Sequence, residues 1–168
     1  SRTESCLIKV RYNTDNINNG FVYYNYYTAT AGNVGYTGYS GTNPQGDICP
    51  AGWRLPSLAE VNSLATIVQN SNNYDYLKNN FQRVGYLNGS SRADTNVGYY
   101  WTASTNYSSA GNYQYYNYAY VLRFGDGFAN TNNWLEKYAG VPVRCVRDTS
   151  LDPSSSTYDI YYYINDGN

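Results

Sequence analysis

The sequence predicts an α+β domain in which two helices and a small antiparallel sheet are joined by a long irregular region. Two observations carry this prediction. A capped segment with helical spacing of apolar residues follows Pro56, and strand-like alternation recurs on both sides of it, most clearly over Tyr118–Phe124. A chain of 168 residues suits one domain with a hydrophobic core. We therefore predict a single domain over residues 1–148, followed by a linker and a C-terminal tail or edge strand over 149–168.

The first 46 residues are predicted to form a hairpin and a loop. Cys6–Tyr12 alternates, and Phe21–Tyr27 is a β-branched and aromatic run that follows the turn signal Asn18-Asn19-Gly20. Thr28–Gly46 has no sustained period and many turn formers, which indicates a loop or a pair of very short strands.

The helix after Pro56 has the clearest signal in the chain. Ser57 and Glu60 fit a capping box, in which the serine hydroxyl accepts from the third helical N–H and the glutamate accepts from the serine N–H. Apolar residues then recur at spacings of three and four, so one helix face is expected to be buried. These residues are Leu58, Val61, Leu64, Ala65 and Val68.

A second helix is predicted over Tyr74–Val84. Asn73 is its candidate N-cap, and Gly85 is expected to end it. Leu77 and Phe81 would face inward.

The second half of the chain is predicted to be a polar loop followed by strands. The loop covers Gly89–Gly98, and strands follow at Tyr99–Ser104 and Gly140–Asp148. The alternation over Tyr118–Phe124 places Tyr118, Tyr120, Leu122 and Phe124 on one face, with Ala119, Val121 and Arg123 on the other. Asp152–Ser156 reads as a linker, and Tyr158–Ile164 as an edge strand or a segment that docks on a neighbour.

Composition excludes several classes of function. Net charge is −1 with 14% charged residues, which disfavours nucleic-acid binding. The chain has no histidine, so it lacks the commonest general base and the commonest metal ligand. Low charge with abundant Tyr, Asn, Ser, Thr and Gly is typical of extracellular bacterial proteins, and no apolar run is long enough to span a bilayer. We expect an extracellular or cell-surface protein whose export or anchoring segment is absent from this sequence.

A tyrosine- and asparagine-rich stretch within Tyr99–Arg147 is the predicted recognition surface. Tyrosine offers a large contact area with few rotors and an adaptable hydroxyl, which suits a protein or glycan ligand. Tyr99, Tyr100, Tyr120 and Tyr138 are assigned to the supporting frame. The predicted ligand-binding residues are Asn106, Tyr107, Asn112, Tyr113, Tyr115, Tyr116, Asn117, Tyr118, Asp126, Phe128, Asn130, Asn132, Asn133 and Trp134.

Three motifs resemble the Fibrobacter succinogenes major paralogous domain, a group of bacterial surface domains with a C-type lectin-like fold. They are Cys49–Ser57 with Glu60 in the following helix, Tyr100–Ser104, and Val143–Arg147. The resemblance implies this fold and a surface location, and it implies no chemistry. It also makes Trp53, Arg54 and Trp101 scaffold residues, and Arg144 and Arg147 structural donors.

The Tyr/Asn stretch is also similar to the variable proteins of diversity-generating retroelements, which use the same fold. Adenine-directed mutagenesis in those systems leaves binding positions rich in Asn, Tyr, Ser and Asp. Asn and Tyr are also frequent outside the stretch here, for example over Asn72–Tyr74. The function expected from both resemblances is non-catalytic binding to a ligand on another cell or surface. The alternative is a structural pilin or fibre subunit, with Tyr158–Tyr163 as a strand added to a neighbour.

The cysteines and the oxygen-bearing side chains also bear on disulfide pairing, metal binding and catalysis. The family pattern brings Cys49 and Cys145 together, which predicts a disulfide between them; two free thiols, or a bridge between Cys6 and Cys145, are the alternatives. No cofactor or metal is expected, although oxygens of Asp126, Asn130–Asn133 and Glu136 offer a structural calcium site as an alternative. Formylglycine-generating enzymes with this class of fold use an active-site cysteine pair, and no such pair adjoins the stretch.

Overall fold

Three helices and three small antiparallel sheets make up the described part of the chain, which covers residues 22–32, 46–105 and 117–147 of a computed structural model. The helices are α1 (Tyr26–Ala29), α2 (Leu58–Asn70) and α3 (Tyr74–Asn80). The strands are β1 (Trp53–Arg54), β2 (Tyr86–Asn88), β3 (Ser91–Ala93), β4 (Gly98–Thr105), β5 (Tyr118–Gly125), β6 (Phe128–Glu136) and β7 (Val146–Arg147). This mixture of helices and antiparallel sheets agrees with the predicted α+β class.

The largest sheet has the strand order β4-β5-β6 and is antiparallel throughout. Tyr100 of β4 lies opposite Leu122 of β5, and Tyr120 of β5 lies opposite Trp134 of β6. The register of β5 and β6 shifts by one residue between Val121 and Arg123. The predicted strands over Tyr99–Ser104 and Tyr118–Phe124 are therefore confirmed, and β6 is an additional strand.

Apolar side chains cover both faces of this sheet. Leu122 and Phe124 of β5 belong to the cluster under α2 and α3, whereas Ala119 and Val121 belong to a second cluster with α1 and Leu55. The alternation predicted for β5 is thus confirmed. A strand that packs on both faces is stabilised more than a strand with one solvated face, because apolar surface is removed from water on both sides of it.

Trp101 is the centre of the second cluster. Its indole is fully buried and meets the Tyr26 ring edge to face, with ring centroids 5.2 Å apart. Its Nε1–H donates to the carbonyl oxygen of Tyr24 at 2.8 Å, so the one polar atom of the indole is satisfied. The prediction that Trp101 is a scaffold residue agrees with this position.

The helix α2 begins as the capping box predicts. The Ser57 hydroxyl accepts from the Glu60 N–H, and the Glu60 carboxylate accepts from the Ser57 N–H at 2.8 Å. The predicted buried face packs on β5 and β6: Val61, Ala65 and Val68 are buried, while Leu58 and Leu64 are partly buried.

The second predicted helix is shorter than expected. Helix α3 ends at Asn80, and Phe81 adopts an extended backbone that places its ring against Tyr100 and Phe124. The energy gained from these aromatic contacts exceeds the energy that the helix would gain by continuing to Val84. Asn73 occupies the N-cap position of α3 as predicted, but its side chain makes no capping hydrogen bond.

The segments that carry the first and last family motifs lie side by side. Strand β1 pairs with β7, so that Trp53 lies opposite Arg147 and Arg54 opposite Val146. Cys49 and Cys145 form a disulfide with Cα atoms 5.8 Å apart, which confirms the predicted pairing. The bridge joins the chain ahead of α2 to the chain that follows the large sheet.

Two further local predictions differ from the structure. Tyr26 and Tyr27 lie in α1, whereas a strand was predicted over Phe21–Tyr27; the Asn25 side chain caps this helical turn by accepting from Thr28 N–H. Part of the predicted loop Gly89–Gly98 is strand β3, which pairs with β2 over three residues. Such short strands leave no periodicity to detect.

The predicted last strand is interrupted. Gly140 and Val141 form isolated bridges with Leu87 and Tyr24, and regular pairing resumes only at Val146. Pro142 stands between them and has no N–H to donate to a neighbouring strand. Its carbonyl oxygen instead accepts from Trp101 N–H at 3.2 Å.

Several predictions concern residues outside the described ranges. They are the strand Cys6–Tyr12, most of the loop Thr28–Gly46, the end of the last strand at Asp148, the linker Asp152–Ser156 and the segment Tyr158–Ile164. The domain boundary at residue 148 and the partner of Cys6 also stay predictions.

Candidate functional site

An aromatic surface occupies the end of the large sheet at which β5 begins and β6 ends. We call it the aromatic face and define it by Tyr118, Tyr120, Trp134, Glu136 and Tyr138. Register places Tyr118 opposite Glu136 and Tyr120 opposite Trp134, so these four side chains share one side of the sheet. The rings of Tyr120 and Trp134 meet edge to face with centroids 6.4 Å apart.

A carboxylate lies at the centre of the tyrosines. The Tyr118 hydroxyl donates to Glu136 Oε1 at 3.3 Å, and the Tyr138 hydroxyl donates to Glu136 Oε2. The hydrogen bond to this carboxylate is the main reason why the pKa of Tyr138 is raised above its usual value. Glu136 therefore holds two phenol rings in fixed positions beside Trp134.

Helix α2 covers the other half of the same sheet surface. Asn62 Oδ1 accepts from the Thr131 hydroxyl at 3.0 Å, and the Gln69 amide donates to the Ala129 carbonyl, so the helix runs from Thr131 toward the β5–β6 turn. Leu122 and Phe124 are buried beneath it. Away from α2, Trp134 is 42% exposed and Tyr138 is 58% exposed.

The described residues on either side of the tyrosine-rich segment 106–116 lie at the end of the sheet that carries the aromatic face. Strand β4 ends at Thr105, which pairs with Ala119, and the chain returns at Asn117. The Asn117 carbonyl accepts from the Lys137 N–H at 2.6 Å, which ties the return point to the end of β6. The predicted binding residues Asn106, Tyr107, Asn112, Tyr113, Tyr115 and Tyr116 lie outside the described residues, and both ends of their segment adjoin this face.

Two asparagines of β6 face the other side of the sheet, because Asn130 pairs with Arg123 and Asn133 with Val121, which packs in the cluster opposite α2. Asn133 donates from its side-chain amide to Asn130 Oδ1, so these two predicted site residues contact each other. Asn132 is exposed. Asn130 and Asn133 therefore do not join the aromatic face.

Two predicted site residues lie at the opposite end of the sheet. Asp126 is in the β5–β6 turn, and it pairs with Lys78 Nζ at 3.2 Å and with Arg83 at 3.0 Å. Hydrogen bonds from Lys78 and Arg83 hold the pKa of Asp126 below its usual value. Phe128 packs beside the Arg123 guanidinium, whose carbon lies 4.8 Å from the ring centroid.

Asp126 and Phe128 therefore do not join the aromatic face. The strand β5 separates the turn from Tyr118 by seven residues, a span of roughly 23 Å. Their contacts connect the turn to α3 and to the side of the sheet that carries Arg123. Trp134 and Tyr118 are the predicted residues whose side chains the described structure does bring together.

The oxygens considered for calcium are divided in the same way. Asp126 is ion-paired at the turn, while Glu136 accepts from two tyrosines at the far end of β5 and β6. Within the three described ranges, no group of three or more Cys, Asp or Glu side chains is arranged to hold a metal ion.

A small apolar cleft of about 40 Å³ lies between α2 and β7, lined by Val61, Leu64, Phe81, Leu122 and Val146 among others. Sites for small molecules commonly measure several hundred Å³. The guanidinium of Arg144 stacks over Phe81 at 4.4 Å and donates to the Asn80 carbonyl at 2.5 Å, as expected of a structural residue. This cleft is too small for an organic ligand.

No protein-family model, curated protein or solved structure matches this chain. In the part of the chain that the structure describes, no helix is long and apolar enough to cross a membrane. The Cys49–Cys145 disulfide is compatible with an extracellular protein, because disulfides persist in oxidising compartments.

Sequence reasoning assigned Tyr120 and Tyr138 to the frame and considered Glu136 only as a calcium ligand. All three belong to the aromatic face. The signal for Glu136 was present in the sequence, since Trp134 and Glu136 alternate with Leu135, which packs into the core. Their positions opposite Tyr120 and Tyr118 depended on a register that the sequence does not specify.

Proposed function

We propose that this chain is a non-catalytic ligand-binding domain of the cell surface with a C-type lectin-like fold. Its ligand, a protein or a glycan on another cell or surface, contacts the aromatic face and the adjoining segment 106–116. The observation that carries the proposal is the exposure of Trp134 and Tyr138 at the end of β6, beside strands β4 and β5 whose side chains are largely buried. Large exposed aromatic side chains grouped at one place are typical of interaction sites.

The frame beneath the aromatic face favours recognition because it is rigid. Residues of β5 pack in two separate cores, and the disulfide ties the segments before α2 and after β6. A surface that is already ordered loses less conformational entropy when a ligand binds. Tyr118 and Tyr138 are further held by their hydrogen bonds to Glu136.

The chemistry of the site favours binding over catalysis. Cys49 and Cys145 form a disulfide, so neither is a thiolate nucleophile in this state. The full sequence contains no histidine to activate another nucleophile. Tyrosine, tryptophan and asparagine are instead the residues that recognition surfaces concentrate.

The C-type lectin-like fold is supported by where the three motifs lie. The segments Cys49–Ser57 and Val143–Arg147 are joined by the disulfide and by β1–β7 pairing, and Tyr100–Ser104 forms the strand β4 beside them. Such a fold brings the segment before the first helix against the final strand. We also propose that the chain is a variable protein of a diversity-generating retroelement, with its mutable positions between Asn106 and Asn133.

The binding proposal is tested with the full chain on a glycan array and against a random-peptide phage library. We expect a ligand in one of them, and a loss of affinity of about tenfold or more for Trp134→Ala and for the triple variant Tyr113→Ala, Tyr115→Ala, Tyr116→Ala. Ile67→Ala is the matched control, because Ile67 is 65% exposed on α2. Unchanged affinity in both variants would refute this site, and no ligand in either library would refute the function.

Retroelement diversification has its own test. Sibling sequences from the same genome should differ at asparagine- and tyrosine-type codons between Asn106 and Asn133, with β4 and β7 unchanged. Differences spread evenly over the chain would contradict it without affecting ligand binding.

A structural role in a pilus or fibre is the second candidate, favoured by the position of β6. This nine-residue strand lies at the edge of the large sheet, where it pairs with β5 and with no other described strand. Edge strands accept an added strand from another chain. Analytical ultracentrifugation separates the candidates, because a fibre subunit would form polymers that grow with protein concentration.

A further inference from the structure

The carboxylate at the centre of the aromatic face narrows the class of ligand. We propose that this face binds a cationic side chain, arginine above all, on a protein ligand, with Glu136 as the counter-charge and Trp134 and Tyr138 as aromatic contacts. This inference rests on the proposed function, since it concerns the same surface.

Glu136 differs from Glu60, Asp75 and Asp126 in what it contacts. Glu60 pairs with Arg54, and Asp75 and Asp126 pair with Lys78. Glu136 accepts hydrogen bonds from two neutral phenols, and within the described residues no lysine or arginine lies within ion-pair distance of it. Its negative charge is therefore not neutralised by a cation of the described structure.

The nearest cation in sequence is directed elsewhere. Lys137 is 6% exposed, and its ammonium lies 5.9 Å from the centroid of the Tyr26 ring, in the core on the other side of the sheet. Burial lowers the pKa of Lys137. Adjacent residues of β6 and its continuation thus place a carboxylate at the surface and an ammonium in the interior.

The geometry of Glu136 suits a planar cation. A carboxylate accepts about four hydrogen bonds, two at each oxygen. Tyr118 occupies one position on Oε1 and Tyr138 occupies one on Oε2, which leaves an acceptor position on each oxygen. A guanidinium donates two parallel N–H groups with the spacing of these two oxygens.

Aromatic rings surround this acceptor pair. Trp134 lies two residues from Glu136 on the same side of β6, and Tyr120 meets it edge to face. A guanidinium or ammonium over a Trp or Tyr ring gains cation–π attraction, and more so where water is excluded. Neutral sugars also stack on aromatic rings and can donate hydroxyl hydrogen bonds to a carboxylate, but they carry no positive charge to pair with Glu136, so the charge favours a basic protein segment over a glycan.

The test begins with a random-peptide phage library panned against the full chain and against Glu136→Gln. Glutamine keeps the size of the side chain and one acceptor oxygen, and it removes the charge. The control is Asp75→Asn, which removes one charge at the opposite end of the sheet. We expect enrichment of arginine-containing peptides on the wild-type chain and on Asp75→Asn, with their affinity lowered about tenfold or more on Glu136→Gln.

A second measurement is independent of the protein variant. An enriched peptide is resynthesised with citrulline in place of arginine, which keeps the shape and removes the charge. We expect about tenfold or greater loss of affinity, and an arginine-peptide affinity that weakens as salt rises from 50 to 500 mM.

Three outcomes would overturn the cation proposal. Enriched peptides without basic residues would overturn it, and so would equal affinity for the arginine and citrulline peptides. Glycan binding through Trp134 in the absence of peptide binding would overturn it as well, while leaving the proposed ligand-binding function intact. Failure of both the glycan array and the peptide library would remove the function itself.

Discussion

Glu60 joins strand β1 to the start of helix α2, and its removal gives the sharpest test of how these elements are held together. Its carboxylate accepts from both terminal nitrogens of Arg54, at 2.8 and 2.7 Å, and from the N–H of Ser57 at 2.8 Å. It therefore links β1, which carries Arg54, to the first turn of α2. We predict that Glu60→Gln lowers the free energy of unfolding at pH 7 and that Glu60→Ala lowers it further.

The magnitude follows from the pKa of Glu60. Burial acts to raise it, but hydrogen bonds from Arg54 and Ser57 and the Arg54 charge outweigh burial and lower the pKa from its usual 4.5 to about 2. A shift of that size corresponds to roughly 3 kcal/mol before screening. The Glu60 side chain is 44% exposed, so solvent screening reduces the expected contribution to about 1 to 2 kcal/mol.

The two variants separate the ion pair from the cap. Glutamine can still accept from the Ser57 N–H in a capping box, so Glu60→Gln tests the charge and is expected to cost about 1 kcal/mol. Alanine removes the cap as well, which adds about 1 kcal/mol. Urea denaturation followed by far-UV circular dichroism, with Arg54→Met and the double variant completing a thermodynamic cycle, measures both terms.

The pH dependence has a definite sign. The folded-state pKa lies below the unfolded value, so the charge contribution is fully present above about pH 4.5 and is lost as pH falls toward about 2. The difference between wild type and Glu60→Gln should therefore shrink over that interval. A difference that is the same at pH 7 and pH 2.5, or a coupling energy near zero with Arg54→Met, would refute the reasoning.

Three further predictions concern the core and the disulfide. The double variant Cys49→Ala, Cys145→Ala should have a free energy of unfolding about 4 to 5 kcal/mol lower than wild type, because the bridge closes a loop between residues 96 positions apart. In urea denaturation, wild type in the presence of a reductant should be as unstable as this variant. Gly98→Ala should cost about 1 to 3 kcal/mol, since a Cβ there would lie 2.1 Å from the buried Phe124 ring, and equal stability by calorimetry would contradict that packing. Tyr26→Phe should raise the free energy of unfolding by about 1 kcal/mol, because the buried Tyr26 hydroxyl has no hydrogen-bond partner among the described residues. A melting temperature below that of wild type would contradict this, because it would mean that the hydroxyl is hydrogen-bonded.

The local sequence was sufficient to predict the structure where the signal lies within one helical turn or one strand. The capping box of Ser57 and Glu60, the buried face of α2 and the alternation of β5 all appear in the structure as predicted. In each case neighbouring residues decide the outcome, through a cap hydrogen bond or a period of 3.6 or 2. The disulfide was predicted by resemblance and is confirmed.

Tertiary structure decided where α3 ends and which residues form the aromatic face. Phe81 leaves the helical pattern because Tyr100 and Phe124, far away in sequence, provide a better site for its ring. The aromatic face depends on the β5–β6 register, which sets Tyr118 against Glu136 and Tyr120 against Trp134, and on where α2 stops covering the sheet. Composition alone marked the Tyr/Asn stretch as a recognition surface, but only the pairing of strands could separate Asp126 and Phe128 at the turn from Trp134 at the far end.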